Sequence, residues 1–274
     1  MSRKKWTNQK LYSRLINNKT ERTYWDNISE LRRRPCVDVY EKATLLARSK
    51  NNKEKIIGID VLAQLGFNPR FKQEETIKLY FDLIETKPNG KVLSSILYGI
   101  SHNNENLTKE QVEKLSVFKY STNADVRKAL VNSLCGLEYD IAINTLIHLS
   151  KDKVVSVRDW ATFGLGSQIE INNKTIIDAL WDRINDSDQN SRFEAIVGLA
   201  NRNDKRVKEI IIKELNRREY GTLLFEAIET LNDLDFLPYL ERSLVFVQNT
   251  NDEIQKGWLL AIEGTIEKIK ARNL

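Results

Sequence analysis

Turn-forming and reactive residues are scarce in this chain. Only 4 prolines and 11 glycines occur in 274 residues, which excludes long structureless linkers and an all-β fold with its frequent tight turns. The two cysteines, Cys36 and Cys135, have no partner spacing for zinc or a redox dithiol. They read as small buried apolar residues of a protein in a reducing cytoplasm. His102 and His148 are the only histidines. They stand far apart, neither belongs to an HExxH-type motif, and His148 falls on a helix face that reads as packed. No glycine-rich phosphate loop, GxSxG or metal-ligand spacing is present. No apolar run approaches the roughly 18 residues of a membrane span, and the opening MSRKKWTNQKLYSR has no secretory apolar core. The expectation is a cytoplasmic protein with no catalytic residue, no metal, no cofactor and no membrane.

Charge is plentiful but uneven. Lys and Arg number 43 against 38 Asp and Glu, a net +5. Residues 1–55 hold 15 basic and 6 acidic side chains, net +9, so the remainder holds 28 and 32, net −4. The basicity thus belongs to one end and does not argue for a nucleic-acid groove along the whole chain.

What is abundant is helical periodicity. In KVVSVRDWATFGLG, residues 153–166, Val157, Trp160, Ala161, Gly164 and Leu165 follow the i, i+3, i+4, i+7, i+8 spacing of one helix face. The small residues let a neighbouring helix come close. Gly164 costs about 1 kcal/mol in a helix interior relative to Ala, which suggests packing that needs the space. Similar stretches recur at DVRKALVNSLCG and NSRFEAIVGLA, where Arg127 and Arg192 take the place of Arg158. Weaker copies anchor at Gly58, Leu93, Leu224 and Trp258. Successive anchors are 35, 34, 31, 34, 32 and 34 residues apart. Such a drifting period, with two helices per unit, is the mark of an α-solenoid, in which each unit buries its apolar face against its neighbours.

The pattern D-x5-VR-x2-A-x3-LG resembles the short bacterial HEAT-like repeat, related to the repeats of bilin-lyase subunits and of helical DNA-alkylation-repair glycosylases. Asp152, Val157-Arg158, Ala161 and Leu165-Gly166 match it in full. Asp186, Arg192, Ala195 and Leu199-Ala200 match with Ser191 for Val and Ala200 for Gly; the copy at Arg127 has Leu130 at the Ala position and Ser121 at the Asp position. The resemblance is strong over 125–200 and weaker over 36–271. It implies an all-α, right-handed solenoid of about seven HEAT-like helix pairs over 36–274, preceded at 1–35 by a basic segment and capping helices. It specifies fold, while such repeats serve unrelated functions.

In order, helices are expected at 7–17 and 20–34, then in pairs: 36–49 with 52–66, 73–86 with 91–102, 108–118 with 124–137, 140–150 with 154–168, 173–184 with 190–201, 204–218 with 221–233, and 236–247 with 252–271. Thr108-x-x-Gln111 is a capping-box pattern, and Arg32, Arg33 and Arg34 suit a helix C-terminus. The last pair is expected to end in one long helix, Ile254–Ile269. Arg127, Arg158 and Arg192 recur in register. They form either a structural ladder bonded to turn residues or a basic track on a concave face. Asp159, Glu194 and Glu226 share the same helices, so that face is mixed in sign and acidic toward the C-terminus. Trp160 stands where Glu194 and Glu226 stand in later copies; it is either core or a partly exposed anchor. These seven residues are the candidate partner-binding set. The expected role is a monomeric, non-catalytic scaffold for a protein or peptide. Nucleic-acid binding, as the repair glycosylases would imply, is the alternative.

Overall fold

The computed structural model describes residues 3–273, and they form an all-α protein with no strand among them. The chain divides into two compact units, Met1–Ala142 and Ile143–Leu274.

The first unit contains α1 (Asn8–Ile16), α2 (Glu21–Arg32), α3 (Val37–Ala47), α4 (Asn52–Ala63), α5 (Gln73–Glu85), α6 (Gly90–Ser101), α7 (Lys109–Ser116) and α8 (Ala124–Leu134). The division falls within α9 (Asp140–Leu149). Side-chain caps start these helices. Thr7, Thr20, Asn51, Asn89, Thr108 and Asn123 each accept a first-turn N–H, and Thr108 with Gln111 closes the reciprocal capping box that the sequence predicts. α3 packs on α4, and α2, α4, α6 and α8 pack on one another in succession. Gly58 makes the first of these contacts possible: a Cβ there would lie 2.3 Å from the Ala43 carbonyl oxygen and the Ala47 nitrogen. Gly99 similarly leaves room for the ring of buried Tyr80, whose hydroxyl donates to the Ile59 carbonyl at 2.8 Å.

The second unit contains α10 (Val155–Phe163), α11 (Lys174–Trp181), α12 (Gln189–Asn201), α13 (Val207–Arg217), α14 (Thr222–Leu231), α15 (Leu237–Asn249), α16 (Glu253–Lys256) and α17 (Leu259–Arg272). α10, α12, α14 and α17 pack in succession, as do α13, α15 and α17. α10 ends in a wide π-helical turn, Gly164–Gln168. The carbonyls of Leu165, Gly166 and Ile169 accept from Arg202, at 2.8, 2.9 and 2.7 Å, which satisfies acceptors that a helix end leaves open. Gly166 faces Gly198 of α12, where a Cβ would lie 2.6 Å from the Gly166 Cα.

Three sequence expectations are corrected. The last long helix is broken into α16 and α17 around Gly257-Trp258, as Gly is weak in helix interiors. His148 is exposed; the buried face of α9 is Ala142, Ile143, Leu146 and Leu149. Cys36 is exposed at the N-terminus of α3, where a chain end of the helix leaves its side chain outside the core.

Candidate functional site

The recurring arginines answer first. Arg127, Arg158 and Arg192 each donate an Nη1–H to the backbone carbonyl six residues earlier, of Ser121 at 2.7 Å, Asp152 at 2.8 Å and Asp186 at 2.9 Å. The side chain at that earlier position accepts the backbone N–H two residues on, in Ser121, Asp152 and Asp186 alike. This explains why Ser replaces Asp without loss: the arginine needs only the carbonyl, and the turn needs only an oxygen acceptor. Arg158 also bonds the Asp186 carboxylate through Nε and Nη2, at 2.7 and 2.8 Å. Burial acts most strongly and would raise the Asp186 carboxyl, but the Arg158 bond, the Asp188 N–H and the charges of Arg158 and Arg183 together hold it below its ordinary value. Arg192 lies 3.6 Å from the Glu214 carboxylate. The three guanidinium groups therefore sit in intramolecular bonds, in the ladder arrangement.

The remaining candidates lie on the solvent side of α10, α12 and α14. Trp160 is 38% exposed, and its ring meets Phe163 edge-on at 5.6 Å. Glu226 is exposed, and Asp159 and Glu194 are half-buried. Burial, and then the charges of Asp159 and Glu226, raise the Glu194 carboxyl to about 7. Asp159 and Glu226 are thus each close enough to Glu194 to act on its charge. Glu226 also lines a shallow groove of about 310 Å³ against α17, together with Glu229 and Leu260. Arg127 belongs to the other unit.

The sequence reading missed the corresponding layer of the first unit. Trp160, Glu194 and Glu226 each stand two residues after a repeat anchor, and the same step from Gly58 and Leu93 gives Asp60 and Ser95; one period earlier it gives Trp25. Trp25, Asp60 and Ser95 line one cavity of about 440 Å³ with Arg32, Ile56, Ala63, Tyr98, Gly99 and His102. The Asp60 carboxylate accepts from the hydroxyls of Tyr24 at 2.6 Å and Ser95 at 2.7 Å. Arg32 does not pair with that carboxylate: it donates Nε and Nη2 to the Asp60 backbone carbonyl, at 2.9 and 2.6 Å, and Nη1 to Gln64 at 2.7 Å. Burial pushes the Asp60 carboxyl above its ordinary value despite the two hydroxyls and the Arg32 charge. His102 closes the rim with Nδ1 2.9 Å from the Gln64 amide nitrogen. Desolvation, then the charges of Arg32 and Arg70, lower its imidazole to about 4, so it is neutral at neutral pH. The arginine run at 32–34 is structural at two of its positions: Arg32 anchors α4, and Arg34 binds Glu30 and the carbonyls of Arg3 and Trp6.

Among the described residues, no three His, Cys, Asp or Glu side chains are placed to hold a metal ion, and no helix is long and apolar enough to cross a membrane.

No protein-family model matches the chain. Over 133 residues it is 31% identical to YibA of Escherichia coli strain K12, a stretch that covers 48% of this chain and 47% of YibA; the match to YibA of strain O157:H7 is the same. The chain thus spans about half the length of the curated relatives it matches. The fold is similar over a longer stretch. An X-ray structure of Escherichia coli YibA superposes with a TM-score of 0.73 over 97% of this chain and 93% of that one, at 23% identity. A crystal structure of an engineered protein gives a TM-score of 0.51 over 94% and 77%, at 16% identity. The chain is homologous to YibA over the matched stretch and shares its all-helical fold.

Proposed function

We propose that this protein is a non-catalytic, cytoplasmic scaffold, a right-handed solenoid of HEAT-like helix pairs that holds a basic protein or peptide segment, as a monomer, on its inner helical layer. The observation that carries the reading is the α10–α14 surface. There an exposed Trp160 stands on a layer with Glu194, whose carboxyl burial and the charges of Asp159 and Glu226 raise to about 7. Exposed Trp is a favoured interface anchor, and Lys or Arg from a partner would relieve the repulsion of Glu194 by Asp159 and Glu226. The in-register chemistry supports a binding surface; the arginine ladder supports its rigidity.

The test is selection from a random peptide library on the immobilised full chain at pH 8 and low salt. The expected result is enrichment of Lys- and Arg-containing sequences that bind at least about tenfold more weakly, a loss of about 1.4 kcal/mol, to the Trp160→Ala variant and to the Glu194→Gln, Glu226→Gln variant. No enrichment, or binding indifferent to both variants, would refute the reading. A titration with duplex DNA at two salt concentrations checks the nucleic-acid alternative, because phosphate contacts give a steep fall of affinity with salt. An acidic layer predicts no binding at either concentration.

A further inference from the structure

The cavity between α2, α4 and α6 has a composition that the acidic layer of the second unit lacks. Its walls are apolar or aromatic: Trp25, which is 43% exposed, Tyr98, which is 37% exposed, and Ile56, Ala63 and Gly99. It contains a single carboxylate, Asp60. Two hydroxyls fix that carboxylate in place, one on each oxygen, and each oxygen retains a lone pair. Neither oxygen makes an ion pair with a lysine or arginine among the described residues, and the cation that acts on it, Arg32, is turned to a backbone carbonyl and to Gln64.

We infer that this cavity receives a lysine side chain of the bound segment, with its ammonium on Asp60 and its methylenes against Trp25, Ile56 and Tyr98. The inference rests on the scaffold reading for the source of the lysine, and on the cavity alone for its chemistry. Lysine joins a four-carbon apolar stem to a compact charge with three donors, which matches an apolar wall around one fixed anion. The Tyr98 ring adds cation–π attraction for an ammonium that has left water, while the Trp25 ring, which the Arg32 guanidinium already approaches to 5.8 Å, serves as apolar wall. An anion fits poorly. Three of the five Arg32 N–H groups already have acceptors, and the Asp60 carboxylate beside them would repel it. The Arg32 charge also opposes an entering ammonium, but the guanidinium is directed at the α4 backbone and the ammonium would sit against the carboxylate, so the closer opposite charge prevails. His102, neutral at the rim, adds no competing charge.

The probe is Nα-acetyl-lysine methylamide, with its norleucine analogue as the uncharged control, titrated to about 20 mM into the full chain at pH 7, a range that registers millimolar dissociation constants. The readouts are the NMR signals of the Trp25 indole and the Tyr98 ring. The lysine compound should shift both, and the norleucine compound should shift them at least about tenfold less at equal concentration, a difference of about 1.4 kcal/mol. Asp60→Asn should abolish the response with the helical circular dichroism retained. If that variant does not fold, Trp25→Ala, at an exposed position, should weaken the response read at Tyr98. No shift, an equal shift with norleucine, or an undiminished response in the variants overturns the inference. Failure here with basic peptides still selected would leave the scaffold reading intact. A lysine response with no peptide selected would do the reverse.

Discussion

The two units place different chemistry at the same repeat position. In the first, the series runs Trp25, Asp60, Ser95 and the buried Ala129; in the second, Trp160, Glu194, Glu226 and the exposed Leu260. Asp60 has a hydroxyl on each oxygen and a guanidinium within electrostatic reach. Glu194 has other carboxylates, and one of its oxygens is buried with no hydrogen-bond partner. A buried carboxylate without donors carries a desolvation penalty that a neighbouring anion increases. The first unit therefore holds its carboxylate with two hydroxyl donors inside a cavity; the second leaves one oxygen of Glu194 without a donor beside other carboxylates. The packing beneath differs too. The tight contact lies within a helix pair in the first unit, at Gly58, and between successive α10 and α12 segments in the second, at Gly166 and Gly198.

Those glycines give the largest expected effects. Gly58→Ala sets a methyl 2.3 Å from backbone atoms of α3, and Gly198→Ala sets one 2.6 Å from the Gly166 Cα. Backbone on the far side cannot rotate away, so each should cost about 3 kcal/mol or more, the upper end of overpacking penalties. Native-state hydrogen exchange should show the loss confined to the unit that carries the substitution. Equal loss in both units would mean that they do not unfold separately.

The arginines come next. Arg158→Met removes one partner of a nearly buried pair, with side chains 11% and 4% exposed, and should cost about 3–5 kcal/mol. Arg127→Met removes, among its contacts, the bonds to the Ser121 and Thr122 carbonyls and should cost at least about 1.5–3 kcal/mol. Urea unfolding of each variant measures the loss, and a loss under about 1 kcal/mol for either would contradict the assigned bonding.

Helix positions were legible in the sequence because the apolar stripes and caps are local. Thr20, Thr108 and the 31- to 35-residue anchor steps locate most elements to within a few residues. The arginine spacing was legible for a similar reason: six residues join a helix to its own turn. The Asp60 cavity was not. It needs residues from three helices, and the copies at Gly58 and Leu93 keep only the hydrophobic skeleton, so no polar signature draws attention to them. Arg202 was hidden likewise, since its carbonyl acceptors lie more than thirty residues away. The break at Gly257 escaped because the apolar pattern continues across it.

Acidity offers a smaller and more specific test of the contrast. The Glu194 carboxyl is raised, so on going up in pH the unfolded chain releases its proton near the ordinary value of about 4.5, whereas the folded chain retains it until about 7. Through that window the folded state binds more protons, and stability falls as pH rises. Below the window there is no contribution, and above it the penalty is constant. Melting temperatures of the wild type should therefore drop relative to Glu194→Gln between pH 4.5 and 7, and the difference should then level off. A flat difference would show that neither burial nor the neighbouring carboxylates raise Glu194.

The smallest expected effect concerns the two tryptophans at the shared position. Trp25 and Trp160 are each more than a third exposed; Trp25 meets Tyr24 edge-on at 5.2 Å and has the Arg32 guanidinium 5.8 Å from its ring centre, and Trp160 meets Phe163 edge-on at 5.6 Å. A structural aromatic would cost about 3–5 kcal/mol on truncation to alanine; one kept for contact with a partner should cost less, because more than a third of its surface stays in water on folding. Trp160→Ala and Trp25→Ala should therefore cost about 2 kcal/mol or less, a fall of several degrees in melting temperature for a chain of this size. If either truncation is as costly as a core one, that ring belongs to the packing of its unit, and the argument that the inner layer is held open for a partner loses its anchor on that side.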